Sequence, residues 1–237
     1  FRYGWDLSHE PHRDLLLWVR EQMKPKIIFT AMDCRVWSIA GRRRHDLHDA
    51  RAREIPYLKW IFRINKLQAD SGLVFVNENP LGSAIWTDSP LSRNCSLRGY
   101  KAKQRCHQCQ HGAVNEEGVP VQKGTRFDAN VRLRHSCLIC NGHRSSDCSR
   151  LDHASLNSRA VGSKLPRTAM AAMFPVKLAR ALVKDMVICC KSKEFFGDYG
   201  NPKECNFEEE ILAERQGIPT SEEQLRTLSN LKVPFSK

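Results

Sequence analysis

The apolar positions in the first third of the chain switch between helical and strand-like spacing. From Asp14 to Met23, apolar residues recur every three or four positions, which predicts an amphipathic helix. The short apolar run Ile27 to Thr30 is typical of a buried strand. A second helix is predicted to begin near Pro56, because proline is favoured in the first turn of a helix. The run Leu73 to Val76 then predicts a second buried strand.

This order of helix, strand, helix and strand indicates an α/β protein. Continuous apolar strands separated by helices are typical of a parallel sheet that is covered on both faces. Ligands of such sheets bind beyond the carboxyl ends of the strands. Cys34 follows the first predicted strand and Glu78 follows the second. We therefore expect a thiol and a carboxyl group to meet at one edge of the sheet.

The pattern is weaker in the rest of the chain. From Asn79 to Pro166 the sequence is rich in loop-forming, basic and cysteine residues, and only Thr125 to Asp128 has the character of a strand. Pro175 then opens an amphipathic helix.

These segments predict a division of the chain into two parts. We expect one domain over residues 1–190, with a cysteine-rich, loop-rich insertion at about 95–165. Residues 191–237 are polar and are expected to form a tail or a small helical appendage. The first residue is Phe1 rather than methionine, which favours a processed piece or a fragment of a longer protein.

The composition favours one class of binding partner and one type of cellular compartment. The chain has 237 residues, 41% of them hydrophobic, and a net charge of +12, which favours a polyanionic partner and nucleic acid first. No apolar run approaches the roughly 18 residues of a membrane span, and no signal peptide is visible. The ten cysteines are too few for a disulfide scaffold and they cluster, which predicts metal ligands or reduced thiols in a reducing, intracellular compartment.

Two Cys-x-x-Cys pairs predict a metal site. Two residues between the ligands let one turn present both sulfurs, and thiolates favour zinc. The predicted ligands are Cys106, Cys109, Cys137 and Cys140. An alternative set is Cys137, Cys140, His143 and Cys148, and free thiols in a basic loop are a further alternative.

Basic residues bracket these segments and predict a surface for a phosphate backbone. The alternative is an ordinary solvated surface. The predicted nucleic-acid-binding residues are Arg42, Arg43, Arg44, Lys101, Lys103 and Arg105, and Arg126, Arg132 and Arg134 extend the set.

Four stretches of the chain, taken together, resemble a known family. They are Cys34-Arg35-x-Trp37-Ser38-x-Ala40-Gly41, Glu78-Asn79, Gln122-Lys123-Gly124-Thr125-Arg126-Phe127, and the helix opened by Phe174-Pro175-Val176. Their order and spacing are similar to those of the cytosine-5 DNA methyltransferases, and most similar to the methyltransferase-like module of protist retroelement polyproteins. The resemblance implies a Rossmann-like, methyltransferase-type sheet.

The resemblance also implies roles for individual residues. Cys34 would be the nucleophile that adds to a flipped-out cytosine, and Glu78 would be the acid that binds the base. Arg126 would contact a phosphate or the ring oxygen. Asp6 would contact the adenosine of S-adenosylmethionine, the methyl donor.

Two differences from the family pattern change the expected function. Asp33 stands where the family has proline, and a carboxylate beside a thiol raises the thiol pKa. The glycine-rich cofactor loop of the family is normally upstream of the position of Asp6. We therefore expect a methyltransferase-like nucleic-acid-binding module that has lost catalysis. The alternatives are an active cytosine-5 methyltransferase and a basic structural subunit of a larger ribonucleoprotein assembly.

Overall fold

The protein folds around a four-stranded mixed sheet. A computed structural model describes residues 6–140, 153–154, 156 and 174–192. The sheet order is β1-β2-β4-β3. The strands are β1 Ile27–Ala31, β2 Val74–Pro80, β3 Lys101–His107 and β4 Gly124–Ala129.

The α/β class is confirmed, and the parallel arrangement holds for one of the three strand pairings. β1 and β2 are parallel, as the helix between them predicted. β4 is antiparallel to both of its neighbours, β2 and β3. Both β3 and β4 belong to the segment expected as an insertion at 95–165, so part of that segment is built into the central sheet. The sheet is therefore mixed rather than parallel throughout.

Two helices begin earlier than the sequence predicted. Helix α1 is Glu10–Met23 and helix α2 is Leu47–Asp70, so Pro56 lies inside α2 rather than in its first turn. Proline in a helix interior removes one backbone hydrogen bond and so destabilises the helix. In α2 the burial of one face of a 24-residue helix offsets this loss. The remaining α-helices in the described ranges are the single turn α3, Ile85–Asp88, and α4, Val176–Lys191.

Each face of the sheet has its own apolar layer. On one face, Val74, Val76 and Phe127 pack with Leu178 and Leu182 of α4, and all five are buried. The opposite face is covered by α2, by α3 and by the segment that follows α3. Together they supply a second buried cluster: Leu58, Ile61, Ile85, Trp86 and Leu91.

Buried amides join the second layer to the sheet. The Asn65 amide of α2 donates to Asn77 Oδ1 over 2.6 Å and to Asn94 Oδ1 over 3.1 Å. Asn77 Nδ2 in turn donates to Thr30 Oγ1 over 2.7 Å. Each net contribution is about 1 kcal/mol, but an unpaired buried amide would cost more. The network therefore fixes the position of α2 over β1 and β2.

Helix α4 is held by a buried carboxylate. Asp185 is 2% exposed. It accepts hydrogen bonds from the backbone N–H groups of His135 and Ser136 and from Ser136 Oγ, at 2.6–3.1 Å. The polar tail or appendage was predicted over residues 191–237. Lys191 is the last residue of α4, and residues 193–237 lie outside the described residues. No helix in the described ranges is long and apolar enough to cross a membrane.

Candidate functional site

The turn after β1 presents the Cys34 thiol at the carboxyl end of the strand. The backbone N–H groups of Trp37 and Ser38 both donate to the Cys34 carbonyl, at 3.1 and 2.7 Å. Gly41 closes this turn, because any Cβ at that position would lie 2.0 Å from the Arg35 carbonyl oxygen. The Cys34 side chain is partly buried.

Glu78 lies beside this turn, as the sequence predicted. In the parallel register, Glu78 of β2 pairs with Ala31 of β1, and Ala31 precedes Cys34 by three residues. Glu78 is 8% exposed, and burial raises the pKa of its carboxyl to about 7, although the nearby Lys123 ammonium lowers it. Glu78 is therefore about half protonated at neutral pH.

The surroundings of Cys34 disfavour its thiolate. Burial raises the pKa of the thiol, and the charges of Asp33 and Glu78 raise it further, while Lys123 acts in the opposite direction. The Asp33 carboxylate pairs with Arg35, whose Nε donates to Asp33 Oδ2 over 2.6 Å. The predicted effect of Asp33 on the thiol is thus present, and it disfavours the thiolate.

Asn79 has a positioning role that the sequence alone did not reveal. Its Nδ2 donates to the Met32 carbonyl over 2.9 Å, two residues before Cys34. Asn79 is fully buried, so this hydrogen bond fixes the backbone where β1 runs into the turn.

Arg126 lies on the other face of the sheet from Glu78. Arg126 pairs with Asn79 across β4 and β2, and Glu78 pairs with Phe127, so the two side chains alternate to opposite faces. The Arg126 guanidinium instead bonds Asp128 over 2.8 Å and lies 4.7 Å from the Trp86 ring centroid. The strand period therefore separates Arg126 from the Cys34 and Glu78 pair with which the resemblance grouped it.

Asp6, the residue expected to contact the cofactor, lies at the rim of a large cleft. The cleft has a volume of about 910 Å³ and also contacts Asp33, next to the thiol. Asp6 is exposed, and the Ser8 backbone N–H lowers the pKa of its carboxyl.

A second cluster could hold a metal ion. The sulfurs of Cys109 and Cys140 and a ring nitrogen of His153 all lie within 4.8 Å of one another. Both cysteines are buried, and His153 Nε2 lies 3.6 Å from Cys140 Sγ. Two thiols and an imidazole are ligands that zinc favours. His107 Nδ1 accepts the Cys140 backbone N–H over 3.1 Å and so positions this ligand.

Two of the four predicted cysteine ligands are not in this cluster. Cys106 lies on β3 with its side chain in the core on the α4 face, and Cys137 packs against the same core. Burial raises the pKa of both thiols to about 12. In each Cys-x-x-Cys pair, therefore, the first cysteine packs with the core and the second belongs to the metal cluster.

The sequence alone did not indicate a role for His153. Twelve residues separate His153 from Cys140, which is more than in a compact zinc knuckle, so the spacing alone does not indicate a ligand. In the fold, the Ala154 backbone N–H donates to the Pro120 carbonyl over 2.8 Å and so anchors the segment that carries His153. His143 and Cys148, members of the alternative ligand set, lie outside the described residues.

Three arginines surround a shallow pocket beside β3. Arg105, Arg132 and Arg134 line an opening of about 310 Å³ and all three are exposed. Within the described ranges, none of them pairs with a carboxylate.

The other predicted basic residues are distributed differently. Arg42 and Arg43 belong to the exposed turn after Cys34, whereas Arg44 pairs with Asp46 over 2.8 Å. Lys101 is at the start of β3. The side chain of Lys103 lies outside the described part of the chain.

Comparison with known proteins identified no relative of the chain. No protein-family model, no curated protein and no solved structure matches the chain.

Proposed function

We propose that this protein is a nucleic-acid-binding module with a methyltransferase-type α/β fold, a zinc-bound loop region and no methyl-transfer activity. The observation that carries the proposal is the shallow pocket lined by Arg105, Arg132 and Arg134, which we call the arginine groove. It combines three exposed guanidinium groups without carboxylate partners among the described residues, on a chain with a net charge of +12.

The groove suits a phosphate backbone. A guanidinium group binds a phosphate through two parallel hydrogen bonds, and its charge displaces counterions from the nucleic acid. The arginines at 132 and 134 alternate with the buried residues Val131 and Leu133, so both point outward from the same segment. Arg105 reaches the pocket from β3.

Zinc has a structural role in the proposal. Cys109 lies in the turn after β3, and Cys140 and His153 lie outside the named helices and strands. A metal that joins these three segments would fix the loops that flank the arginine groove.

The raised pKa of the Cys34 thiol supports a loss of catalysis. A thiol must be deprotonated to attack carbon, and burial, Asp33 and Glu78 all raise its pKa. In addition, Asp6 is the one described residue that the resemblance assigns to S-adenosylmethionine, and it is exposed.

Fluorescence anisotropy with labelled single-stranded and duplex DNA and RNA tests the proposal. We expect binding that weakens steeply as salt rises, because each phosphate contact releases counterions. Affinity that hardly changes between low and high salt would contradict a phosphate-contact surface.

Active methyl transfer is a second candidate, favoured by the meeting of Cys34 with a half-protonated Glu78. Its test is incorporation of a labelled methyl group into DNA or RNA by the wild type and by Cys34→Ala. A signal that is lost only in the variant would support this candidate over the first, and equal signals would reject it.

A further inference from the structure

A cleft of about 910 Å³ runs along the outer edge of β1. Its lining includes every residue from Ile28 to Asp33. Successive side chains of a strand point to opposite faces, so a pocket over one face would contact only every second residue. The unbroken run therefore places the cleft against the backbone edge of the strand.

This edge carries backbone groups that no strand of the sheet pairs. Among the described residues, β1 is the first strand in the sheet order and pairs with β2 alone. Every second residue of such a strand directs its N–H and C=O groups away from the sheet. Proteins protect open edges with charged residues, prolines or bulges, and Ile27–Ala31 contains none of these.

The burial of β1 differs from that of its neighbour. The residues of β2 from Val74 to Asn79 are all buried, whereas none of the residues of Ile27–Ala31 is buried. No element in the described part of the chain buries this strand fully, although it contains Ile27, Ile28 and Phe29.

The walls of the cleft are apolar. Helix α1 contributes Leu16 and Val19, and helix α2 contributes Tyr57, Trp60 and Ile61. The Trp60 indole N–H is buried and has no acceptor among the described residues. A buried donor of this kind costs free energy unless an acceptor, such as a peptide carbonyl, is brought to it.

The charges at the rim do not suit a polyanion. Arg35 pairs with Asp33, and Arg53 lies 3.7 Å from Asp46. Arg20 Nε donates to Gln68 Oε1 over 3.0 Å, and Glu54 accepts the Trp37 indole N–H over 2.6 Å. Asp6 Oδ1 accepts the Ser8 backbone N–H over 2.9 Å. Because these charges are already engaged, the complementary occupant is uncharged along its length.

We propose that the β1 cleft binds an extended, apolar polypeptide segment of a partner protein, which joins the sheet as a fifth strand beside β1. Backbone hydrogen bonds to β1 would provide the affinity, and the apolar walls would select the side chains. A second copy of this chain is a poorer occupant, because its own β1 edge is flanked by the same two helices. This partner site is separate from the arginine groove and independent of nucleic-acid binding.

The probe is a fluorescein-labelled peptide of valine and isoleucine between two terminal lysines, which keep it away from the basic surface. The control peptide carries N-methyl groups on alternate residues, which removes the donors of one edge. Titrated with the full chain, the first peptide should bind saturably. The control should bind at least roughly tenfold more weakly, because two or three backbone hydrogen bonds of about 1 kcal/mol each are lost.

Paired variants separate strand addition from general adsorption. Val19→Lys places a charge in the cleft wall and should weaken peptide binding by at least roughly tenfold, since the ammonium would lose its hydration. Val183→Lys adds the same charge on the exposed side of α4, where the valine is 50% exposed, and should leave binding unchanged. Circular dichroism confirms that both variants are folded.

Three results would overturn the proposal. They are the absence of saturable binding, equal binding of the two peptides, and equal binding to Val19→Lys and the wild type. A dimer that Val19→Lys dissociates would also overturn it, because a second copy would then be the occupant.

Discussion

Gly41 and Arg35 approach each other so closely that a Cβ on Gly41 would lie 2.0 Å from the Arg35 carbonyl oxygen. The contact is with backbone, so no side-chain rotation relieves it. It draws the chain that follows Cys34 back onto the start of its own turn. The turn that presents the thiol therefore depends on the absence of a side chain at Gly41.

Gly41→Ala should lower the free energy of unfolding by about 1–3 kcal/mol, because the added methyl group forces the backbone apart. Chemical denaturation measures the change. Gly82→Ala is the matched control. Its Cβ would meet the end of the Ile39 side chain at 3.2 Å, and that side chain is 63% exposed and free to move. Equal losses in the two variants would show that the Arg35 contact has no special cost.

Glu78 should make the stability of the protein depend on pH. Between about pH 4.3, where an unfolded glutamate ionises, and about pH 7 the folded chain retains a proton that the unfolded chain has lost. The folded state then binds more protons, so its stability falls as pH rises through this window.

Glu78→Gln removes this titration. The stability of the wild type minus that of the variant should fall by up to about 3 kcal/mol from pH 4 to pH 8. Denaturation curves at several pH values measure the difference, which cancels the titration of other groups. A difference that stays constant over the range would contradict a buried carboxyl with a raised pKa.

Cys34 should react slowly with iodoacetamide at neutral pH, because its pKa is raised by burial and by two carboxylates. Peptide mapping by mass spectrometry measures the rate beside that of Cys95, an exposed thiol in the same chain. Asp33→Asn should accelerate alkylation of Cys34 and Lys123→Met should slow it. Alkylation of Cys34 as fast as that of Cys95 would indicate an activated thiol and would favour the catalytic alternative.

The metal cluster predicts which cysteines matter for zinc. Cys109→Ala or His153→Ala should reduce the zinc that copurifies with the protein, because each removes one of the converging ligands. Cys137→Ala should retain zinc and lose stability by about 1–3 kcal/mol, as expected for a partly buried core side chain. Metal analysis by mass spectrometry distinguishes the two classes. Loss of zinc in Cys137→Ala alone would reverse the ligand assignment.

The sequence predicted the parallel half of the sheet well, because Ile27 to Thr30 and Leu73 to Val76 are apolar enough to show as strands. It missed β3, because two buried residues of that strand are Gln104 and Cys106, and the Gln104 side chain is satisfied by Val131 and Leu133 backbone groups. A polar strand whose partners are distant in sequence has no apolar period to detect.

The site was predicted in part for a similar reason. Cys34 and Glu78 could be placed together because parallel strands end at one edge of a sheet. Arg126 could not, because its face depends on the register between β2 and β4, and a shift of one residue would reverse it. His153 depends on a loop that returns to Pro120, which no local spacing encodes.

The salt dependence of nucleic-acid binding tests the central proposal most directly. For single-stranded DNA, replacing Arg105, Arg132 and Arg134 together by alanine should reduce the slope of log affinity against log salt by about 2, since each lost phosphate contact contributes about 0.7. The matched control removes the same charge from three exposed residues of α2, Lys59, Arg63 and Lys66. We predict a near wild-type slope for this control. Equal slopes for the wild type and the groove variant would contradict the proposed interface.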